Sequence, residues 1–372
     1  MDSLKAINAQ SLQVTAKRLA LAFDAFFRRL KAGDEPGFPR FKPIQRFAGW
    51  GYKTYGDGWK RIQPDGQHGK VRRTGIGDVP MRGKGRFTGA PKTGEVFLKG
   101  GHWYLSVTYA VTPEVVARPR GSEAAAFDWG LTTLLTMAKS DGTMEEVDNP
   151  RWLKNKLEQI KALSRGVRAE ETVIRDVLGL AATAPIPFRP RTGKRNRLRR
   201  PIRVIHRQAS RQRKDFYHQR TALLVSRFAF LGTEALAVDT MTRSPKAKPD
   251  PENPGQFLAN GAAQKAGLNR SILDAAPSML IGMLRTKAVE AASVFAEANT
   301  RQWKPTQRCH ACGEIVKKAL SERRHVCACG TDCGRDENAA KTILRWLLEG
   351  NYWLGTNQRA GASRSSETLS IA

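Results

Sequence analysis

All five cysteines of the chain fall in one short segment, as Cys309-His-Ala-Cys312-Gly, Cys327-Ala-Cys329-Gly and Cys333, and Arg335-Asp336-Glu-Asn338-Ala-Ala follows at once. Thiolates two residues apart can both reach one tetrahedral Zn²⁺, because a tight turn brings their sulfurs together, and a second close pair completes the site. Cys309, Cys312, Cys327 and Cys329 are the simplest ligand set. The second pair is spaced C-x-C, one residue shorter than usual, which leaves Cys333 as a substitute for one of its members; His310 and His325 are weaker candidates. Disulfides are the competing use of such a cluster. A chain of 372 residues can bury a core without covalent staples, and Met1-Asp-Ser-Leu-Lys5 is not a charged-then-apolar leader. A reducing, cytoplasmic compartment fits best.

Three acids stand out beside the cysteines. Asp128 interrupts the apolar run from Ala124 to Met137, Asp239 closes the run from Glu234 to Val238, and Asp336 opens a helix directly after the cysteine segment. A carboxylate in apolar surroundings must be paired, hydrogen-bonded or metal-bound. Taken singly, each reads as a cap or an ion pair, and Asp336 as a helix N-cap. Three together in a basic chain suggest a shared Mg²⁺ site of the two-metal type, in which one ion activates water and the other stabilises the leaving oxygen of a phosphodiester.

The partner class follows from charge. Lys and Arg total 63 against 34 Asp and Glu, a formal +29, and a field of that size binds polyanions. The charge is concentrated between Arg189 and Lys214, a run without an acid that contains Arg191, Lys194, Arg195, Arg197, Arg199, Arg200, Arg203, Arg207, Arg211, Arg213 and Lys214. Such a run repels itself unless phosphates lie against it. No stretch approaches the ~18 apolar residues needed to cross a bilayer, so a membrane partner is not expected.

The elements that must carry these residues fall into several regimes. Apolar positions at helical spacing from Ser11 to Lys31 predict a helix that stops before Pro36-Gly37. Between Phe47 and Val116, short apolar and aromatic runs alternate with Gly-rich turns, and Gly100-Gly101 reads as a hairpin turn between two strands. This predicts a small antiparallel barrel or sandwich whose aromatics are shared between a core and a nucleic-acid surface. Ala124 to Met137 predicts a strand pair, and Trp152 to Leu180 and Phe216 to Phe230 predict helices. Glu234 to Asp239 predicts a buried strand ending in its acid, followed by a long loop from Thr240 to Asn269. Helices are predicted from Ser271 to Ala298 and from Glu337 to Leu348, with a disordered tail from Asn351. The fold class is therefore α/β and multidomain.

At these motifs the sequence resembles the TnpB (OrfB-type) transposon proteins, RNA-guided DNA endonucleases related to the compact type V CRISPR effectors. The resemblance runs from about Asn8 to Leu347. It is carried by Gly37-Phe-Pro-Arg-Phe-Lys42, Phe127-Asp128-Trp-Gly-Leu, Gln212-Arg-Lys-Asp-Phe-Tyr-His218, Ala237-Val-Asp239 and the cysteine segment running into Arg335-Asp336-Glu-Asn-Ala-Ala340. It implies a β-barrel wedge domain with a helical insert, then an RNase H-like RuvC nuclease domain interrupted by a zinc ribbon. The corresponding divisions are 1–36 for a shortened helical recognition segment, 37–120 for the wedge, 121–300 for the nuclease domain with its basic helical insert, 301–334 for the zinc ribbon, 335–350 for the last nuclease motif and helix, and 351–372 for the tail.

By the motif match, Asp128, Asp239 and Asp336 would be the catalytic, magnesium-binding acids, and Cys309, Cys312, Cys327 and Cys329 the zinc ligands. The cofactors implied are Zn²⁺, Mg²⁺ and a guide RNA, and the partners are guide RNA and target DNA in a prokaryotic cytoplasm at the nucleoid. The sequence departs from the family at three places. Asp239-Thr240 stands where the family carries Glu followed by Asp, a further strand and helix usually precede the point where Met1 falls, and Gly334 replaces a frequent acid. Glu234, five residues before Asp239 on a strand, would face the opposite side. Two readings follow: a guided endonuclease, or a guided DNA-binding protein of the same family that cuts weakly or not at all.

Overall fold

The computed structural model describes residues 8–41, 49–62, 68–83, 89–110, 123–186, 193–253, 255–319 and 321–350. The chain divides between Ala117 and Arg118 into two compact units. The expected tail from Asn351, Lys42 of the Gly37 motif and Arg191 of the basic run lie outside the described residues.

The first unit opens with α1 (Ala9–Lys31), which starts two residues before the expected Ser11. Asn8 caps it, its side-chain oxygen accepting from the backbone N–H groups of Gln10 and Ser11, while Arg28, Arg29 and Lys31 complement the negative end of the helix dipole. Six strands follow: β1 (Gly49–Tyr52), β2 (Trp59–Ile62), β3 (His68–Arg73), β4 (Gly77–Arg82), β5 (Ala90–Lys99) and β6 (His102–Ala110). They form two three-stranded antiparallel sheets, ordered β1-β5-β6 and β2-β3-β4. Gly100 and Gly101 both take positive φ, 61° and 83°, in the two-residue turn closed by Lys99 and His102, a conformation that matches strand twist and that glycine adopts without strain. Gln10 ties α1 to the strands, its side-chain oxygen accepting from the N–H of Lys53 at 2.8 Å and of Thr54 at 2.9 Å. The core is small, built on Tyr52, Trp59, Val71 and Val96. Trp103 and Tyr104 remain exposed.

The second unit is organised by a five-stranded sheet. β7 (Glu123–Trp129), β8 (Thr133–Lys139) and β9 (Met144–Asp148) form an antiparallel meander, as expected for the first two. A 3₁₀ turn at Lys154–Lys156 leads into α2 (Leu157–Val177), and then comes α3 (Gly193–Arg227). The basic run is therefore helical, and the helix expected at Phe216 begins more than five turns earlier. It ends before Phe230, because β10 (Phe228–Glu234) starts at once. After α4 (Val238–Met241), the short pair β11 (Lys248–Pro249) and β12 (Phe257–Leu258) and α5 (Ala262–Ala275) occupy what reads as a long loop. The single helix expected from Ser271 to Ala298 is three elements: the end of α5, α6 (Pro277–Glu290) and β13 (Val294–Ala298). α7 (Thr300–Trp303), the cysteine hairpin of β14 (Arg324–Val326) and β15 (Asp332–Gly334), and α8 (Arg335–Leu348) complete the unit.

Strand order is β13-β10-β7-β8-β9, with β10 and β13 parallel to β7. Alternation along β7 sends Ala125, Phe127 and Trp129 into the core shared with α3, α5 and α6, and Ala124 and Ala126 to the opposite face under α8. That second face is lined by small residues, Ala124, Ala126, Ala138, Ala296 and Ala298. At Gly232 a Cβ would stand 3.3 Å from both Ile343 and Leu347, so glycine lets α8 lie close against β10. No helix among the described residues is long and apolar enough to cross a membrane.

Candidate carboxylate and thiolate sites

The alternation that places Ala124 and Ala126 under α8 also places Asp128 on that face, two residues further along β7. In β10, Thr233 pairs with Phe127, so Glu234 follows in register with Asp128 on the neighbouring parallel strand and points to the same side. Both acids sit at the carboxyl ends of their strands, where open α/β sheets hold their ligands. Asp336 enters from above, in the first turn of the helix that covers this face. Thr136, also buried, is the register partner of Asp128 on the other side.

The electrostatics agree with this geometry. Burial, then the charges of Glu234 and Asp336, raise the Asp128 carboxyl well above its ordinary range; Arg335 and the Trp129 backbone N–H act in the opposite direction. Burial also raises Glu234, against a hydrogen bond from Thr300. Asp128 is 7 % exposed. Carboxylates gathered in so dry a place repel one another unless a cation neutralises them, and hard oxygen donors suit Mg²⁺. The residues present therefore fit a divalent cation.

The structure does not bring Asp239 to this group. The expected strand from Glu234 to Asp239 is wrong: β10 ends at Glu234, and Asp239 lies exposed in the four-residue α4. Glu234 does not face away, because the strand precedes it rather than follows it. The acid one methylene longer, which the family pattern calls for, is thus present in the chain, and the signal that finds it is the alternation Phe230, Gly232, Glu234 matched to Ala124, Ala126, Asp128.

A pH dependence follows for the protein freed of divalent cations. Asp128 and Glu234 have folded-state values above their ordinary 3.8 and 4.5, so between those values and the raised ones the folded state holds more protons than the unfolded state. Stability then falls as pH rises from about 4 through the raised range. Thermal melts in chelator are expected to show this fall, and Asp128→Asn is expected to flatten it and raise Tm at neutral pH.

The thiolate site is built from two tight turns, each closed by a glycine at positive φ, Gly313 and Gly330. The Sγ atoms of Cys309, Cys312, Cys327 and Cys329 all lie within 4.8 Å of one another, with Cys309 to Cys329 at 3.7 Å and Cys312 to Cys327 at 3.6 Å. Tetrahedral Zn–S bonds of about 2.3 Å place sulfurs about 3.8 Å apart, so the four fit zinc. The short C-x-C pair is accommodated, and Cys333 stands outside the group, in β15 across from His325. Burial disfavours the Cys309 thiolate, but hydrogen bonds from Thr331, the Cys312 and Ala311 backbone and His325 outweigh it and bring the thiol down to about 5. Neither histidine is in the group. His310 hydrogen-bonds Asn338, and buried His325 contacts the Lys318 ammonium.

The two sites share α8. Asn338, fully buried, accepts from the His310 backbone N–H at 3.1 Å and donates to the Arg308 carbonyl at 2.7 Å. Thr342 donates to the same carbonyl at 3.1 Å, and Arg345 to the Ala311 carbonyl at 2.9 Å. The first cysteine turn is thus fastened to the helix whose first turn carries Asp336. The sequence marks Asn338 only as part of a motif.

The basic run is sorted by α3. Buried Ile205, Ala209, Arg213 and Tyr217 form the inner stripe, and Arg199, Arg203, Arg207 and Arg211 recur at the same four-residue spacing on the exposed side, with Arg197, Arg200 and Lys214 also exposed. Arg213 is not a surface cation: it is buried, pairs with Asp274 at 2.7 Å and lies over the Trp152 ring. Arg195 is paired to Glu171 at 2.8 Å, and Lys194 to Glu170 at 2.8 Å with most of its side chain exposed. Asp274 also accepts from the Leu153 backbone N–H at 2.9 Å. Arg213→Ala, which strands that buried carboxylate, is expected to cost about 3–5 kcal/mol in chemical denaturation, with little change in the salt dependence of nucleic-acid binding.

Comparison with known proteins agrees with the two halves of this unit. Residues 106–245, which hold Asp128 and Glu234, match the family OrfB_IS605, described as "Probable transposase", and residues 278–343, which hold the cysteines and Asp336, match the "Cas12f1-like, TNB domain". A protein of Escherichia coli (strain K12) named "Putative RNA-guided DNA endonuclease InsQ" is 27% identical over 92% of this chain and 75% of its own length. A Streptomyces pristinaespiralis protein named "Putative RNA-guided DNA endonuclease" is 26% identical over 66% of this chain and 50% of its own. The cryo-EM structure of a Cas12f1–sgRNA–target DNA complex is similar over 85% of this chain and 67% of its own, at 11% identity and a TM-score of 0.46, a likeness that does not by itself assign a fold. Both family matches, in chain order, and a relative alongside nearly the whole sequence support a TnpB-type (OrfB-type) family for this chain.

Proposed function

We propose that the protein is a divalent-cation-dependent endonuclease that cuts DNA selected by an RNA it carries. The observation that carries this reading is the convergence of Asp128, Glu234 and Asp336 from two parallel strands and a helix N-terminus at one end of a sheet. Magnesium held there would supply an activated water and stabilise the departing oxygen of a phosphodiester. The protein's own part is to hold the three carboxylates rigidly, with small residues beneath α8 and Arg335 beside them for the negative charge of the phosphate. In this reading the β7–β13 sheet is an RNase H-like RuvC nuclease core, the cysteine hairpin is a zinc ribbon within it, and β1–β6 form the wedge. The domain divisions given above are proposed with it. The names of the relatives support RNA guidance and DNA as the target, and the exposed arginines of α3 supply a surface for phosphates. Base pairing would then select the sequence.

The test is to co-express the protein with its flanking DNA, sequence the RNA that co-purifies, and incubate the complex with a matching target library in Mg²⁺. Cutting at sites matched to that RNA, lost in Asp128→Ala, is expected. A discrete RNA with target binding but no cutting would leave a guided binding protein, and no discrete RNA would overturn both.

A further inference from the structure

The Gln212-Arg-Lys-Asp-Phe-Tyr-His218 segment of α3 is only half explained by packing. Arg213 pairs with Asp274, Tyr217 donates to the Ala275 carbonyl, and the Phe216 ring meets Trp152 and Tyr217 edge-on. Gln212 and Asp215 instead face solvent, and together with Phe216 and Gln219 they line one wall of a cavity of about 480 Å³ whose other wall carries Asn155 and Lys156. This cavity belongs to the α3 side of the sheet, whereas the carboxylate trio lies on the α8 side.

Its chemistry is unlike the rest of the helix. Asp215 is the single acid in α3, and the Gln219 amide, donating to it at 2.9 Å, holds one of its oxygens in place. Within a strongly basic chain an oriented carboxylate repels phosphate and accepts hydrogen bonds, so a group that donates fits against it. The carboxamides of Gln212 and Asn155 and the rings of Phe216 and Trp152 share the same lining. An acceptor pair sharing a cavity with amides and aromatic rings matches the edge of a nucleobase, and among the bases guanine alone offers two adjacent donors, N1–H and the N2 amino group, to one carboxylate. The volume suits a base with its sugar, Lys156 at the rim can take a phosphate, and Arg211 lies one residue from the cavity wall. A second cavity of about 470 Å³ shares Lys156 and continues the groove past Gln159 and Gln208.

We infer that this cavity binds an unpaired guanine of single-stranded nucleic acid, with Asp215 accepting from its N1–H and N2 amino group. The inference rests on the nucleic-acid reading above and extends it to a base-specific subsite away from the carboxylates.

The test compares binding of the whole protein to short oligouridine RNAs that carry one central guanosine, inosine or adenosine, with salt titrations alongside. Guanosine is expected to bind about tenfold better than adenosine, with inosine between them, and Asp215→Asn is expected to abolish that preference while leaving adenosine-RNA affinity and its salt slope unchanged. The same RNA with 6-thioguanosine is expected to cross-link to the α3 peptide containing Phe216. Equal affinity for guanosine and adenosine, a preference that survives Asp215→Asn, or cross-links confined to other segments would overturn the inference. Salt-dependent binding without base preference would overturn the subsite alone, whereas no salt-dependent RNA binding would overturn the nucleic-acid reading beneath it.

Discussion

Glu234→Gln is expected to lower the DNA cleavage rate about a thousandfold, equivalent to about 4 kcal/mol of transition-state stabilisation, while Asp239→Asn leaves the rate close to that of the unaltered protein. The contrast comes from where β10 stops. Glu234 is its last residue, in register with Asp128 on the adjacent parallel strand, and acts on it electrostatically. Asp239 lies five residues later, exposed in α4. Gln keeps the size and hydrogen-bonding reach of Glu but removes the charge that binds a hard cation. Single-turnover cleavage of a matched target by the protein–RNA complex checks both variants. A large loss in Asp239→Asn with activity retained in Glu234→Gln would return the role to the residue that the sequence alone singles out.

The second large effect is expected from the thiolate site, which has no part in the chemistry. Cys309→Ser or Cys327→Ser, each removing a buried sulfur of the proposed zinc site, is expected to lower zinc content and to lower cleavage about 10–100-fold, the range of effects for groups that orient a site from outside it. The route is short. Cys309 lies next to Arg308 and His310, whose backbone groups are bonded by Asn338, and Asn338 is two residues along α8 from Asp336. Without the folded turn, the helix that delivers Asp336 loses the partners of a fully buried side chain. Asn338→Ala is the milder test: the cysteines and their metal stay, and cleavage is expected to fall in the same direction. Zinc content measured beside cleavage separates the two variants. Coupling of this kind runs one way in the assay, since Asp128→Asn is expected to stop cleavage with zinc content unchanged. Full activity in a zinc-free cysteine variant would show that α8 holds Asp336 unaided.

How much of this was legible in the sequence depended on local signals. The grouping of Cys309 with Cys312 and of Cys327 with Cys329 was, because each pair is close in the chain and its turn glycine is visible. Gly100-Gly101 and the strand pair around Asp128 were also readable, from turn chemistry and an apolar run of strand length. Glu234 was lost because Phe228 follows Arg227 with no glycine or proline between helix and strand, so the apolar residues of β10 extend the period of α3 and displace the expected strand toward Asp239. β13 was lost for a related reason: five residues of mixed character after a helix do not announce a strand, and only its parallel pairing with β10 defines it. Arg213 reads as one cation in a basic run, and only its partner Asp274, far away in the sequence, makes it a core residue. These are tertiary facts, fixed by which strand and which acid arrive alongside.

Asp128, Glu234 and Asp336 are together proposed to hold the divalent cations that support cleavage. Mn²⁺ binding followed by electron paramagnetic resonance on the zinc-loaded protein tests this assignment without relying on the guide or the target. Saturable Mn²⁺ binding is expected in the unaltered protein and in Asp239→Asn, with binding weakened strongly in Asp128→Asn and Glu234→Gln. Binding that is unaffected by Glu234→Gln, or lost in Asp239→Asn, would contradict it.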